Sequence, residues 1–178
     1  MCSSDLVNIE QLRSAPRATA LRVLSTCLQT IHTDDYPPER STLLALLKAL
    51  CSDTEMPARS LHGCIISKTE TAVILLREQA AISDVQPIAP GHSVVWDQRW
   101  QVSLAPDVIE TNLVIRALGV QSAGILDQLA PHLRQRVPQG RARAALPALW
   151  CKQELVLIPA LPSESNPLAS CHILNKIV

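Results

Sequence analysis

LHGCIISKTETAVILLR, residues 61–77, is where the apolar period of this chain changes. Leu61 to Ser67 and Thr71 to Arg77 are short runs rich in Ile and Val, and Lys68, Thr69 and Glu70 separate them. Branched aliphatics on both sides of a short polar turn predict a β-hairpin. Upstream, the spacing is helical. Leu21, Leu24, Leu28 and Ile31 recur at intervals of three and four, with Cys27 beside them, which puts one apolar stripe on a helix from about Ala18 to Ile31. His32 to Tyr36 breaks that pattern. Pro37 and Pro38 then suit the first turn of a second helix, where a missing N–H costs nothing, and Leu43, Leu44, Leu47 and Leu50 give it a buried face. The short connection makes the two helices an antiparallel pair.

Downstream, the pattern stays short and strand-like. Ser83 to Gly91 contains Pro87, Pro90 and Gly91 and reads as a loop. Ser93 to Trp96 and Arg99 to Leu104 predict a second hairpin around Asp97-Gln98, and Leu113 to Leu118 a further strand. Ala123 to His132 fits a short helix and Pro138-Gln139-Gly140 a turn. Leu149 to Cys151 and Leu155 to Ile158 predict a third hairpin around Lys152-Gln153-Glu154. A polar, proline-containing stretch follows from Pro162 to Pro167, and His172-Ile173-Leu174 adds a last strand candidate. The fold class is therefore α+β: an N-terminal antiparallel helix pair, then a mostly antiparallel sheet of short hairpins with one short helix. This implies a helical segment over residues 1–56 and a mostly β region over 57–178, and leaves open whether the two pack as a single domain.

Composition bounds the function. Of 178 residues, 47% are apolar and 18% charged, which supports a packed core. There is no Phe, one Tyr and three Trp, so branched aliphatics must fill most of the interior. Lys plus Arg equals Asp plus Glu at 16 each, so any nucleic-acid partner needs a local basic patch. The six cysteines form no CxxC pair and sit in apolar segments, which suits a reducing compartment without a disulfide framework. The start shows no secretory signal, and no apolar run reaches the roughly 18 residues of a membrane span. A cytoplasmic protein without a membrane partner is the simplest expectation.

Few motifs carry chemistry. With five glycines, neither GxGxxG nor GxxxxGK[ST] occurs, and the pyrophosphatase-type SGGxDS loop is missing as well. The histidines at 32, 62, 92, 132 and 172 have no metal-site spacing and read as scattered surface or half-buried residues. No GxSxG turn suggests a nucleophile. The most informative charge feature is Arg134, Arg136, Arg141 and Arg143, four arginines within ten residues and no acid among them. Their forks match phosphate oxygens, while a solvated surface loop explains them as readily. Arg13, Arg17 and Arg22 read as the wet face of the first helix. Trp96-Asp97-Gln98-Arg99-Trp100 places two tryptophans across a turn, as a packing pair or as a stacking platform for a base.

Several segments, in order, resemble the C-terminal half of tRNA(Ile)-lysidine synthetases, especially the shorter alphaproteobacterial kind. They are Asp35-Tyr36-Pro37-Pro38-Glu39-Arg40, Ser60-Leu61-His62-Gly63-Cys64, Arg77-Glu78, Val95 to Trp100, Ile115-Arg116-Ala117-Leu118-Gly119, and Ala145 to Trp150 with Leu155-Val156 and Ile158-Pro159 behind it. The resemblance covers roughly residues 10–160 and rests on shared order and spacing. The family usually has Asp-Gly in the tryptophan hairpin. Gln98 stands there instead, which implies a wider or strained turn. The family also often has Phe at Trp100 and a second Gly at His62.

The resemblance implies a ligase. Family members use ATP to adenylate the wobble cytidine of a tRNA(Ile) with a CAU anticodon, and free lysine then displaces AMP to give lysidine. The family's SGGxDS loop lies in an N-terminal catalytic domain that this sequence does not contain, so the resemblance assigns this chain no catalytic, cofactor or metal residue. ATP belongs to that domain. The implied partners are tRNA(Ile) and the catalytic domain, with Arg134, Arg136, Arg141 and Arg143 as the candidate tRNA contacts. The alternative is a non-enzymatic protein-interaction or remnant module, which neutral charge and few aromatics also suit. An autonomous enzyme has no positive signal.

Overall fold

A computed structural model describes residues 4–33, 35–110, 112–120, 140–159 and 169–173. The chain divides into two compact units, one ending at Ala81 and the other beginning at Ile82. The fold is α+β throughout. The helix expected over Ala123 to His132 and the polar stretch from Pro162 to Pro167 lie outside the described residues.

The first unit opens with β1 (Ser4–Asn8) and α1 (Ile9–Ser14), followed by α2 (Arg17–His32) and α3 (Arg40–Cys51). Strands β2 (Arg59–Leu61), β3 (Cys64–Lys68) and β4 (Ala72–Arg77) complete an antiparallel sheet in the order β1-β4-β3-β2. Asn8 ends β1 and caps α1, its side chain accepting from the backbone of Glu10 at 2.9 Å and Gln11 at 3.0 Å. The helical stripe is as the spacing predicts: Leu24, Leu28 and Ile31 are buried, while Leu21 is half-buried against the same core. On α3 the buried set is Leu43, Leu46, Leu47 and Leu50, with Leu44 half-buried at the edge. The two prolines do not enter α3. Pro38 restricts Pro37 to extended backbone, and Glu39 is still extended at ψ 134°, so the helix begins at Arg40.

Along β4, Val73 and Leu75 point into the helices with Cys64 and Ile66 of β3. That shared core moves the boundary. The period change after Pro57 suggests a division between residues 1–56 and 57–178, yet the first hairpin supplies half the lid of the helical core and the compact unit runs on to Ala81. Arg13 also moves: it lies on α1, not on the first long helix, and pairs with Asp53 at 3.0 Å.

The second unit contains β5 (Gln86–Ile88), β6 (Ser93–Trp96), β7 (Trp100–Leu104), β8 (Leu113–Ala117), α4 (Arg141–Ala144), β9 (Pro147–Cys151), β10 (Glu154–Leu157) and β11 (Ala169–Ile173). Two antiparallel sheets, β10-β9-β8-β5 and β11-β7-β6, share one hydrophobic core. The stretch expected as a loop from Ser83 contains β5. Pro87 is tolerated there because β5 is an edge strand paired only to β8 within its sheet.

All three tryptophans enter this core, Trp96 completely. Trp96 and Trp100 pair directly across β6 and β7, which makes them packing residues and leaves Asp97, Gln98 and Arg99 in the loop. That loop is one residue wider than an Asp-Gly turn. Asp97 and Gln98 both sit at positive φ, 48° and 51°. A polar latch holds it in place. The Trp96 indole N–H donates to the Asp84 carbonyl at 2.8 Å, and the Asp97 backbone N–H donates to the Asp84 carboxylate at 2.8 Å. Gln86 Nε2 donates to the same carboxylate and, at 3.0 Å, to the Val95 carbonyl.

Trp96→Ala removes the largest fully buried side chain of this core. It should destabilise the second unit by about 3–5 kcal/mol, read as a lowered midpoint in urea denaturation; an unchanged midpoint would remove Trp96 from its structural role.

Candidate nucleic-acid interface

Of the four sequence-predicted arginines, Arg141 and Arg143 are described, and Arg134 and Arg136 lie outside the described residues. Arg141 and Arg143 stand on α4, which Gly140 introduces at φ 65°, ψ −134°, a conformation open to glycine alone. Backbone bonds fix α4 against the end of β8: Gly119 N–H to Ala144 O at 2.9 Å and Leu118 N–H to Leu146 O at 2.9 Å. Arg141 is exposed and Arg143 half-buried. Neither has a carboxylate partner among the described residues.

A third arginine shares this end of the sheet. Val114 pairs with Trp150 across β8 and β9, and Arg116 pairs with Ala148. Arg116 is therefore the diagonal neighbour of Trp150 on one face. Its guanidinium carbon lies 4.2 Å from the centre of the indole ring, a cation–π stack. Arg116 Nε and Trp150 Nε1 are both buried and have no hydrogen-bond partner among the described residues. A buried donor left without a partner costs about 1–3 kcal/mol. A lone cation in an apolar strand carries no cluster signal in sequence. Only the strand register brings it to the tryptophan.

A different cluster forms in the first unit. Cys64 pairs with Arg77, which joins the segments Ser60–Cys64 and Arg77–Glu78 into one corner. The buried Arg77 guanidinium donates to the Gly63 carbonyl at 3.0 Å and the Ala81 carbonyl at 3.3 Å. It also meets His32 Nδ1 at 2.7 Å, and because a guanidinium only donates, that nitrogen is the acceptor. His62 meets His32 edge to face, 4.8 Å between ring centres. Two of the five histidines are thus neighbours rather than scattered. They belong to an arginine-centred corner, and no group of three metal-ligating side chains occurs among the described residues. Ser60 Oγ donates to Glu78, and the Glu78 N–H donates to Gly63 O at 2.9 Å, closing the corner.

No family model matches the sequence. Individual proteins do. A tRNA(Ile)-lysidine synthase of Ruegeria pomeroyi is 31% identical over 147 residues, covering 83% of this chain and 32% of that protein. Proteins of the same name from Anaplasma marginale and from the Wolbachia of Brugia malayi are 28% and 25% identical, each over 55% of this chain and 22% and 23% of their own lengths. The aligned part is C-terminal in these proteins. The chain is related to the C-terminal region of tRNA(Ile)-lysidine synthases.

The chain spans about a third or less of the length of these lysidine synthases. Two of the segments that carry the resemblance, the 60–64 and 77–78 pieces, are the two sides of the arginine-centred corner. Gly63 holds that corner tight. It sits at φ 63°, and a Cβ there would lie 2.3 Å from His32 Nδ1 and 2.7 Å from Arg77 Nη1. Gly63→Ala should therefore destabilise the first unit by about 1–3 kcal/mol, read as a lower melting temperature by circular dichroism. Wild-type melting would mean the corner opens without cost.

Proposed function

We propose that this chain is the tRNA-holding, non-catalytic part of a tRNA(Ile)-lysidine synthase. It acts beside the family's N-terminal catalytic region, to which the ATP-dependent adenylation of the wobble cytidine and the attack by lysine are assigned. The observation that carries this reading is the match to the C-terminal region of lysidine synthases over most of the chain. What supports the division of labour is that neither GxxxxGK[ST] nor SGGxDS occurs in the sequence.

The tRNA contact is assigned to the arginine segment. Arg141 and Arg143, with Arg134 and Arg136 ahead of them, supply guanidinium forks to phosphate oxygens. A net charge of zero means that this attraction is local rather than a property of the whole chain. Among the described residues, no helix is long and apolar enough to cross a membrane.

Binding of a tRNA(Ile) transcript by the full chain, measured by filter retention over a salt series, tests the assignment. Replacing both Arg141 and Arg143 by Ala should weaken binding and lower the slope of log affinity against log salt by up to about 1.8. Mixing the chain with the catalytic region of a lysidine synthase, ATP, lysine and tRNA should raise lysidine formation above that of the catalytic region alone. No binding by the wild-type chain and no such gain would leave the protein-interaction or remnant reading in its place.

A further inference from the structure

We infer that Arg116, seated on the face of Trp150, is a further RNA-phosphate contact of the second unit, with Trp150 as its positioning residue. This rests on the RNA-holding reading above and extends it to a residue outside the arginine run.

Three observations converge on it. The first is the stack itself, 4.2 Å from guanidinium carbon to ring centre, which restrains the guanidinium against the indole face. The second is the state of its donors. Nε is buried without a hydrogen-bond partner among the described residues. Arg116 is half-buried, so part of the guanidinium stays accessible, and no carboxylate pairs with it among the described residues. A planar fork restrained by the stack loses little freedom on meeting a phosphate.

The third is location. Leu118 and Gly119, two and three residues beyond Arg116, are the ones hydrogen-bonded to Leu146 and Ala144 beside α4. The described residues 113–120 and 140–151 contain Arg116, Arg141 and Arg143 and not one Asp, Glu or Lys. This end of the sheet thus carries three guanidinium groups, none of them in an ion pair among the described residues. Phosphodiester oxygens match it best, because arginine presents paired donors in the geometry that such an anion accepts.

The test is filter binding of a tRNA(Ile) transcript by the full chain over a salt series, with melting by circular dichroism for every variant. Arg116→Ala should weaken binding several-fold and lower the salt slope by about 0.9 for a duplex contact, or about 0.7 for a single-stranded one. Arg116→Lys should keep the slope and lose part of the affinity, since an ammonium retains the charge without the fork. Trp150→Leu should weaken binding with the slope retained. If that variant does not fold, the comparison of Ala with Lys at 116 decides alone. Replacing chloride by inorganic phosphate at equal ionic strength should compete for the wild type more than for Arg116→Ala.

A wild-type slope and affinity in Arg116→Ala would overturn this inference. If Arg141→Ala/Arg143→Ala still loses binding in that case, the broader RNA reading stands. Absence of binding by the wild type brings down both.

Discussion

Between Leu113 and Ala117, β8 lies antiparallel to β9, and the pairing runs on past the strand through Leu118 to Leu146 and Gly119 to Ala144. This one register settles the surface chemistry of the second unit. It sets Arg116 diagonal to Trp150, it seats α4 at the end of the sheet, and it keeps Leu113, Ile115 and Leu149 inside. Side chains alternate along a strand, so a slip of one residue would drive Arg116 into the core and turn Ile115 to the other face. The large penalty for that exchange is what fixes the position of the guanidinium.

The two units solve the same packing problem differently. The first closes its sheet with leucine-rich helices, using Val73 and Leu75 of β4 against Leu24, Leu28 and Leu50. The second has no long helix among its described residues and stacks two sheets instead. Sheets with no phenylalanine at all need bulk from elsewhere, and Trp96, Trp100 and Trp150 provide it. Only Trp96 finds an acceptor among these three within the described hydrogen bonds, and it does so through backbone rather than side chain.

Much of this architecture is legible in the chain itself. The long helices and the three hairpins are readable because their apolar periods run for several turns or strands. What stays hidden is short or register-dependent. β1 and α1, five and six residues long, are too brief to establish a period, and α1 depends on a cap that only Asn8 supplies. β5 is masked by Pro87, which signals a loop until an edge position is known. Glycine-free Asp97-Gln98 forecasts a wider or strained turn, and the loop is both, three residues long with Asp97 and Gln98 at positive φ. The arginine run is visible as composition, but the stack of Arg116 on Trp150 and the meeting of Arg77 with His32 join residues 34 and 45 positions apart, and no linear pattern announces them.

The Asp84 latch has a practical corollary for dissecting the protein. Asp84 lies just two residues past the start of the second unit, before any of its strands. A truncation that begins at β5 would look generous by strand content yet would strip the acceptors from the Trp96 indole and the Asp97 amide. The severed hairpin would then keep two left-handed non-glycine residues at its tip without the Asp84 bonds that help hold them. Cuts intended to isolate the second unit belong at Ala81 or earlier, where the tether survives.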